Sequence, residues 1–248
     1  MKIVRLLDNF LGNSLSISKI GFTEVNGWES SSSETMDRRE WEDYRSNERI
    51  DNKSAIESWL GLLANKERRK FFIFDKLTKM MNYSNVLELA AGQGHIGAML
   101  NFSGIKTDLS ELSGNLLYPQ IEALAVQNLE IDFNAIDVAM LSKYDCVFAV
   151  QLDYIFDLEM IENFLRKCAL GDTDVIFVNT QIIGPFNYLS YSLKEPYRLN
   201  TSKKHGFVKS LGSYRKIGSA TGFITSIERA KFKDIDSYYF IKFTKRNR

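Results

Sequence analysis

The chain has 248 residues, of which 44% are hydrophobic and 25% charged, and its net charge is +1. That length holds one sizeable domain with an added segment, or two small ones, and the composition allows a buried core. The charge balance excludes the overall polycation that a nucleic-acid coat needs. Two cysteines, Cys146 and Cys168, and two histidines, His95 and His205, stand far apart without zinc-ligand spacing, so buried free thiols and no metal are expected.

Residues 1–28 combine a short amphipathic pattern with an expected hairpin. Asp8 and Asn9 interrupt their apolar run, which therefore lacks the uncharged core of a signal peptide. No stretch approaches a membrane span, and a cytoplasmic protein is the default. Ser30 to Ser33 form a polar connector, followed by Trp41 and Tyr44 at helical spacing. This part would be a flap over a bound ligand, or its aromatics would pack on the core. Ala55, Ile56, Trp59, Leu60 and Leu63 predict one helix, and Phe71, Phe74, Leu77 and Met81 a second. From residue 83 the texture alternates. Strands are expected at 86–89, 104–108, 131–136, 145–150 and 174–178, with helices at 95–101, 116–127 and 155–170 between them. Near-continuous apolar strands separated by helices indicate a parallel sheet covered on both faces. A helix over 214–220 and two strands, 224–232 and 237–244, close the chain with an antiparallel hairpin.

The stretch 86–97 reads VLELAAGQGHIG. Glycines between a strand and a helix permit a sharp turn and close approach of a ligand to backbone amides. The string Gly92-x-Gly94-x-x-Gly97 matches a dinucleotide fingerprint, but three features argue against a nicotinamide cofactor. Glu88 lies inside the strand, where a buried acid needs a cationic or hydrogen-bonding partner. Asp108 follows Gly92 by about 16 residues rather than roughly 20. The closing hairpin is also foreign to that fold.

All three features fit another group. The sequence resembles the class I S-adenosylmethionine (SAM)-dependent methyltransferases over about residues 85–245. The likeness is carried by VLELAAGQG, KTDLS (106–110), IDV (136–138), YDCVFAVQLDY (144–154) and TGFITS with the YYFIKF strand. It implies a Rossmann-like, doubly wound α/β fold. Its sheet would be mostly parallel and seven-stranded, ending in an antiparallel hairpin, behind an N-terminal helical extension. Residues 1–82 would be a helical cap or flap and 83–248 the SAM-binding domain, with a substrate-wall insertion at about 184–212. The resemblance places Glu88, Ala90, Gly92 and Gly94 on the cofactor, with Ala90 standing where the family has glycine. Asp108, with Leu109 beside it, would grip the ribose. Asp137 would face the adenine amino group, with Val138 next to it, unless it is a simple loop acid. Gln151 would lie beside the methionine portion. No metal is implied.

The acceptor is less legible. Asp153, just beyond the fourth strand, is a candidate general base or the N-cap of the helix from 155. His205 is a second candidate base, or an exposed lid residue. His95 reads as cofactor packing or helix surface. Between Glu195 and Glu228 there is no acid, while Arg198, Lys203, Lys204, Lys209, Arg215 and Lys216 interleave with aromatics. That is either a solvated face or a wall for an anionic acceptor. The leading expectation is methylation of a small-molecule or glycan-like acceptor, at oxygen and on an anionic substrate. Nitrogen methylation of protein or RNA and a non-catalytic SAM-binding scaffold are the alternatives; nucleic acid is disfavoured by the charge.

Overall fold

A computed structural model describes residues 18–22, 68–92, 94–111, 127–152, 156–179, 182, 205–232 and 236–245. In chain order these form β1 (Ser18–Phe22), α1 (Arg68–Met80), β2 (Asn85–Leu89), α2 (His95–Phe102), β3 (Lys106–Glu111) and β4 (Asn128–Glu130). A 3-10 turn (Phe133–Ala135), α3 (Val138–Leu141), β5 (Cys146–Val150), α4 (Leu158–Leu170) and β6 (Asp174–Asn179) follow. The last elements are β7 (His205–Lys209), α5 (Leu211–Ala220), β8 (Phe223–Phe232) and β9 (Asp236–Lys245). The expected helix at 116–127, the serine connector and the Trp41/Tyr44 segment lie outside the described residues.

Seven strands make one sheet in the order β4-β3-β2-β5-β6-β9-β8. The pairs from β4 through β6 are parallel, and β9 is antiparallel to both β6 and β8. This is the Rossmann-like α/β architecture expected, with its hairpin at one edge. Side chains alternate across the sheet into two cores. One holds Leu87, Leu89, Val147, Ala149, Val175, Phe177, Ile241 and Phe243 against α4 and α5. The other holds Val86, Cys146, Phe148, Ile176, Val178 and Phe240 against α1 and α2. Ile73, Leu77 and Met81, four residues apart, form the stripe by which α1 enters that second core. Among the described residues no helix is long and apolar enough to cross a membrane, and no cluster of three metal-binding side chains occurs.

Three expectations change. The third parallel strand is Asn128–Glu130, and residues 131–136 turn instead. Their apolar groups still pack inward, with the Phe133 ring stacked on Phe156 at 3.9 Å between centroids. The helix expected from 155 starts at Leu158, because the Asp157 side chain accepts the Met160 N–H and caps it there. The second strand is shifted, running from Lys106 to Glu111 rather than ending at Asp108. Of the hairpin expected within residues 1–28 only β1 belongs to the described residues. It pairs antiparallel with β7, Phe22 opposite His205 and Ser18 opposite Lys209, in a separate two-stranded sheet.

The hairpin is held to α5 by a close approach at Gly218. A Cβ there would lie 2.0 Å from Thr225 Oγ1 and 3.0 Å from Phe243 Cδ1. Phe243 is fully buried and has no room to move. Gly218→Ala should therefore cost about 1–3 kcal/mol through overpacking, read from denaturant melts.

Candidate functional site

The sheet order reverses beside β2: the chain leaves it for β3 on one side and later returns as β5 on the other. In open α/β sheets ligands bind beyond the carboxyl ends of the strands at such a switch point. Here the glycine turn follows β2, and Gln151 follows β5. The turn is tightly wound. Ala90, Gly92 and Gly94 have φ of 49°, 56° and 75°. For Ala90 that left-handed conformation costs about 1 kcal/mol, which a glycine would avoid. Gly94 N donates to Ala91 O at 2.9 Å, closing the turn into α2.

Glu88 is 3% exposed and points toward α2. Its Oε2 accepts the Gly97 N–H at 2.8 Å. Gly97 is required there, since a Cβ would fall 2.1 Å from Leu109 Cδ2 and 2.7 Å from Glu88 Oε2. Burial above all, opposed by the Gly97 bond and aided by the nearby Glu111 charge, raises the Glu88 pKa to about 8.

A second acid reaches the glycine turn that precedes this helix. Glu111, at the carboxyl end of β3 and 2% exposed, accepts the Gly92 N–H at 2.6 Å. Asp108 does not join them. Leu87 pairs with Asp108 and Glu88 with Leu109, so Asp108 projects from the opposite face of the sheet. There it is 7% exposed and accepts the Tyr144 hydroxyl at 3.0 Å. Burial and the Asp108 charge push the Tyr144 phenol well above its usual range. Leu109 is fully buried beneath Gly97. The contact of Glu111 with the glycine turn was not legible in sequence because DLSE offers two acids. Two-residue periodicity, counted from the Glu88 partner Leu109, was the signal that could have singled it out.

The remaining candidates are placed unevenly. Asp137 is the exposed N-cap of α3, its Oδ1 accepting the Met140 N–H at 2.7 Å, with half-buried Val138 following. Gln151 is exposed at the end of β5, with φ of 56° and its N–H on Val178 O. Strained backbone of this kind collects at ligand rims. His205 opens β7, and Asp153 lies outside the described residues. Of the basic stretch, Arg215 and Lys216 are exposed on α5, but Lys209 is fully buried and belongs to no solvated face. His95, read as cofactor packing or helix surface, is buried: its Nδ1 lies 2.9 Å from Lys70 Nζ, on α1. An ammonium only donates, so Nδ1 accepts and the ring proton sits on Nε2. Burial and the Lys70 charge lower this imidazole to about 3, keeping it neutral.

Among solved structures, the magnesium protoporphyrin IX methyltransferase of Synechocystis PCC 6803 with bound SAM superimposes with a TM-score of 0.53. It is 13% identical over 89% of this chain and 100% of that one. The fold is that of the class I SAM-dependent methyltransferases. Human N-acetylserotonin methyltransferase in complex with SAM gives 0.51, at 14% identity over 89% of this chain and 63% of its own. An O-methyltransferase family protein from Burkholderia thailandensis gives 0.51, at 12% identity over 82% and 64%. A family model described as tRNA synthetases class I (W and Y) matches residues 21–136, just under half of the chain. That stretch contains the glycine turn but ends before β5, β6 and the hairpin that fix the methyltransferase sheet order. Comparison with curated protein sequences gave no match.

The raised Glu88 pKa carries a stability cost with a definite sign. Between pH 4.5 and about 8 the unfolded chain has lost this proton and the native chain keeps it, so stability falls as pH rises through that window. Glu88→Gln should escape the loss. Its melting temperature relative to wild type should climb from pH 5 to pH 8 and level off above.

Proposed function

We propose that this chain is a SAM-dependent methyltransferase acting at an oxygen of a small-molecule or glycan-like acceptor. The observation that carries the reading is the meeting of two buried acids at the switch point of the sheet, Glu111 on the side-chain-poor glycine turn and Glu88 on the first turn of the helix that follows it. The loop fits such a ligand: a Cβ at Gly92 would meet nothing within 4 Å, so it faces open space. We assign Glu88 to the amino-acid end of SAM, where a buried acid suits an ammonium. Glu111 takes the ribose hydroxyls in place of Asp108, because a carboxylate at the strand end can accept from a diol while Asp108 is engaged by Tyr144 on the other face. Gly92 and Gly94 let the backbone approach the ligand, Ala90 shapes the turn, and Asp137 with Val138 sits on the adenine side. SAM, when bound, supplies a methyl group already activated on sulfur. The protein's share is then alignment, exclusion of water and a place for the acceptor's proton. Gln151 is read as the rim beside the methyl group, and Asp153 or His205 as the proton's destination.

Residues 1–82 we read as the cap over this site. Its support is the β1–β7 pairing, which ties the N-terminal part to the insertion beyond β6. Exposed Arg215 and Lys216 favour an anionic acceptor. Buried free Cys146 and Cys168 suit a reducing cytoplasm. Calorimetry should show binding of SAM and S-adenosylhomocysteine (SAH) and none of NAD. Glu111→Gln should weaken SAH by roughly 10- to 100-fold, about 1.5–3 kcal/mol, and Asp108→Asn by less. The reverse order would return the ribose to Asp108. With methyl-labelled SAM and fractionated metabolites, label should be retained by anionic products. No labelled product from any fraction would favour a binding scaffold.

The tRNA synthetase match supports a second reading, attachment of tryptophan or tyrosine to tRNA. The net charge of +1 and the terminal hairpin count against it. A charging assay with labelled tyrosine or tryptophan and bulk tRNA should stay at background; ATP-dependent charging would replace the methyltransferase reading.

A further inference from the structure

We propose that the chain forms a two-fold dimer in which the outer edge of β8 pairs antiparallel with the same edge of a second copy, the axis passing at Ile227. The inference is independent of the ligand held at the glycine turn.

β8 ends the seven-stranded sheet, and among the described strands its one neighbour is β9. It is long and regular. Ten residues, Phe223 to Phe232, run in unbroken register along β9 from Lys245 to Asp236. The terminal strand of a sheet offers a row of backbone donors and acceptors, which proteins blunt with proline, a bulge, short length or charge. FITSIERAKF has no proline, no bulge and no lack of length, and its charges lie only between Glu228 and Lys231. Ile224, Ser226 and Glu228 share a face with buried Ala230, yet all three are exposed, Ile224 by 55%.

The charges select how two copies meet. Residues directly opposite each other in an antiparallel pair lie on one face, and a two-fold axis normal to the sheet keeps each face to itself. The axis therefore passes at a residue, which meets its own copy. At Glu228 it would set two glutamates against each other, at Arg229 two arginines, and at Ala230 it would set Arg229 against Lys231. Like charges directly opposed destabilise a sheet. These charges have fixed places on the strand: Lys76 of α1 holds Glu228 at 2.7 Å, and Arg229 lies over the Tyr239 ring, 5.7 Å from its centroid. With the axis at Ile227 no like charges oppose. Ser226 then faces Glu228 of the second copy, Thr225 faces Arg229, Ile224 faces Ala230 and Phe223 faces Lys231. Only Phe232 is left beyond the ladder. An axis nearer Phe223 shortens it, at Ser226 already leaving Ala230, Lys231 and Phe232 outside. The register at Ile227 is thus the longest that the charges permit, and it sets β-branched Ile227 against its own copy, a favourable cross-strand pair.

Sedimentation velocity of the full chain over about 1 to 100 μM should show a concentration-dependent dimer, of twice the 28.5 kDa of one chain. Ser226 tests the register. It is exposed and lies opposite Lys242 of β9, so Ser226→Glu gains a favourable neighbour within its own subunit and keeps the fold. Across the dimer it sets glutamate against Glu228 at two symmetry-related places, and should weaken association by about 2- to 30-fold. Ser226→Lys places opposite charges there and should tighten the dimer, with the gap between the two variants narrowing as salt is raised. A chain that stays monomeric across that range overturns the proposal. So does a dimer whose dissociation constant fails to move in opposite directions for the two variants, since it is then held through another surface or register.

Discussion

A single buried hydrogen bond, from the Gly97 amide to the Glu88 carboxyl group, sets the relation between the central strand and the helix that follows it. It exists only because Gly97 has no side chain, which lets α2 settle onto Leu109 and Thr107 of the neighbouring strand. Asn101 completes the same junction from the other end of α2. Its Nδ2 donates to Gly97 O and Thr107 O, while its Oδ1 accepts the Thr107 N–H. With helix and two strands fixed in this way, the loop between them has few conformations left. Its left-handed residues, Ala90 included, are imposed by the surroundings rather than chosen by local preference.

Much of the fold was legible because burial on both faces leaves a plain mark. The strands Cys146–Val150 and Asp174–Asn179 are apolar for nearly their whole length, and α4 shows Ile161, Phe164, Leu165 and Cys168 on one side. What escaped was decided by contacts distant in sequence. The strand Asn128–Glu130 is a short, largely polar edge strand, overshadowed by the apolar 131–136 turn that packs beside Phe156 and Phe164. Nothing local in SKIGF announces that its partner is HGFVK, on the far side of the main sheet in chain order.

The site was legible to a similar depth. The glycine turn and Glu88 stood out because an acid in an apolar strand contradicts its neighbours. The opposite faces that Asp108 and Glu111 occupy did not, since they depend on where β3 ends and on its register with β2. Lys70 was wholly invisible: a lysine in a helix rich in Lys and Arg carries no mark of the imidazole it meets on another element.

The small β1–β7 sheet has a consequence for how the chain is made. Strand Ser18–Phe22 leaves the ribosome early, but its partner His205–Lys209 is synthesised only after most of the sheet's strands. At ordinary rates of elongation the early strand waits many seconds with its backbone groups unmatched. The seven-stranded sheet can assemble meanwhile from neighbours close in sequence, so the two-stranded ribbon closes last, as a high-contact-order step. During that interval an extended strand with an unpaired edge is available to other chains.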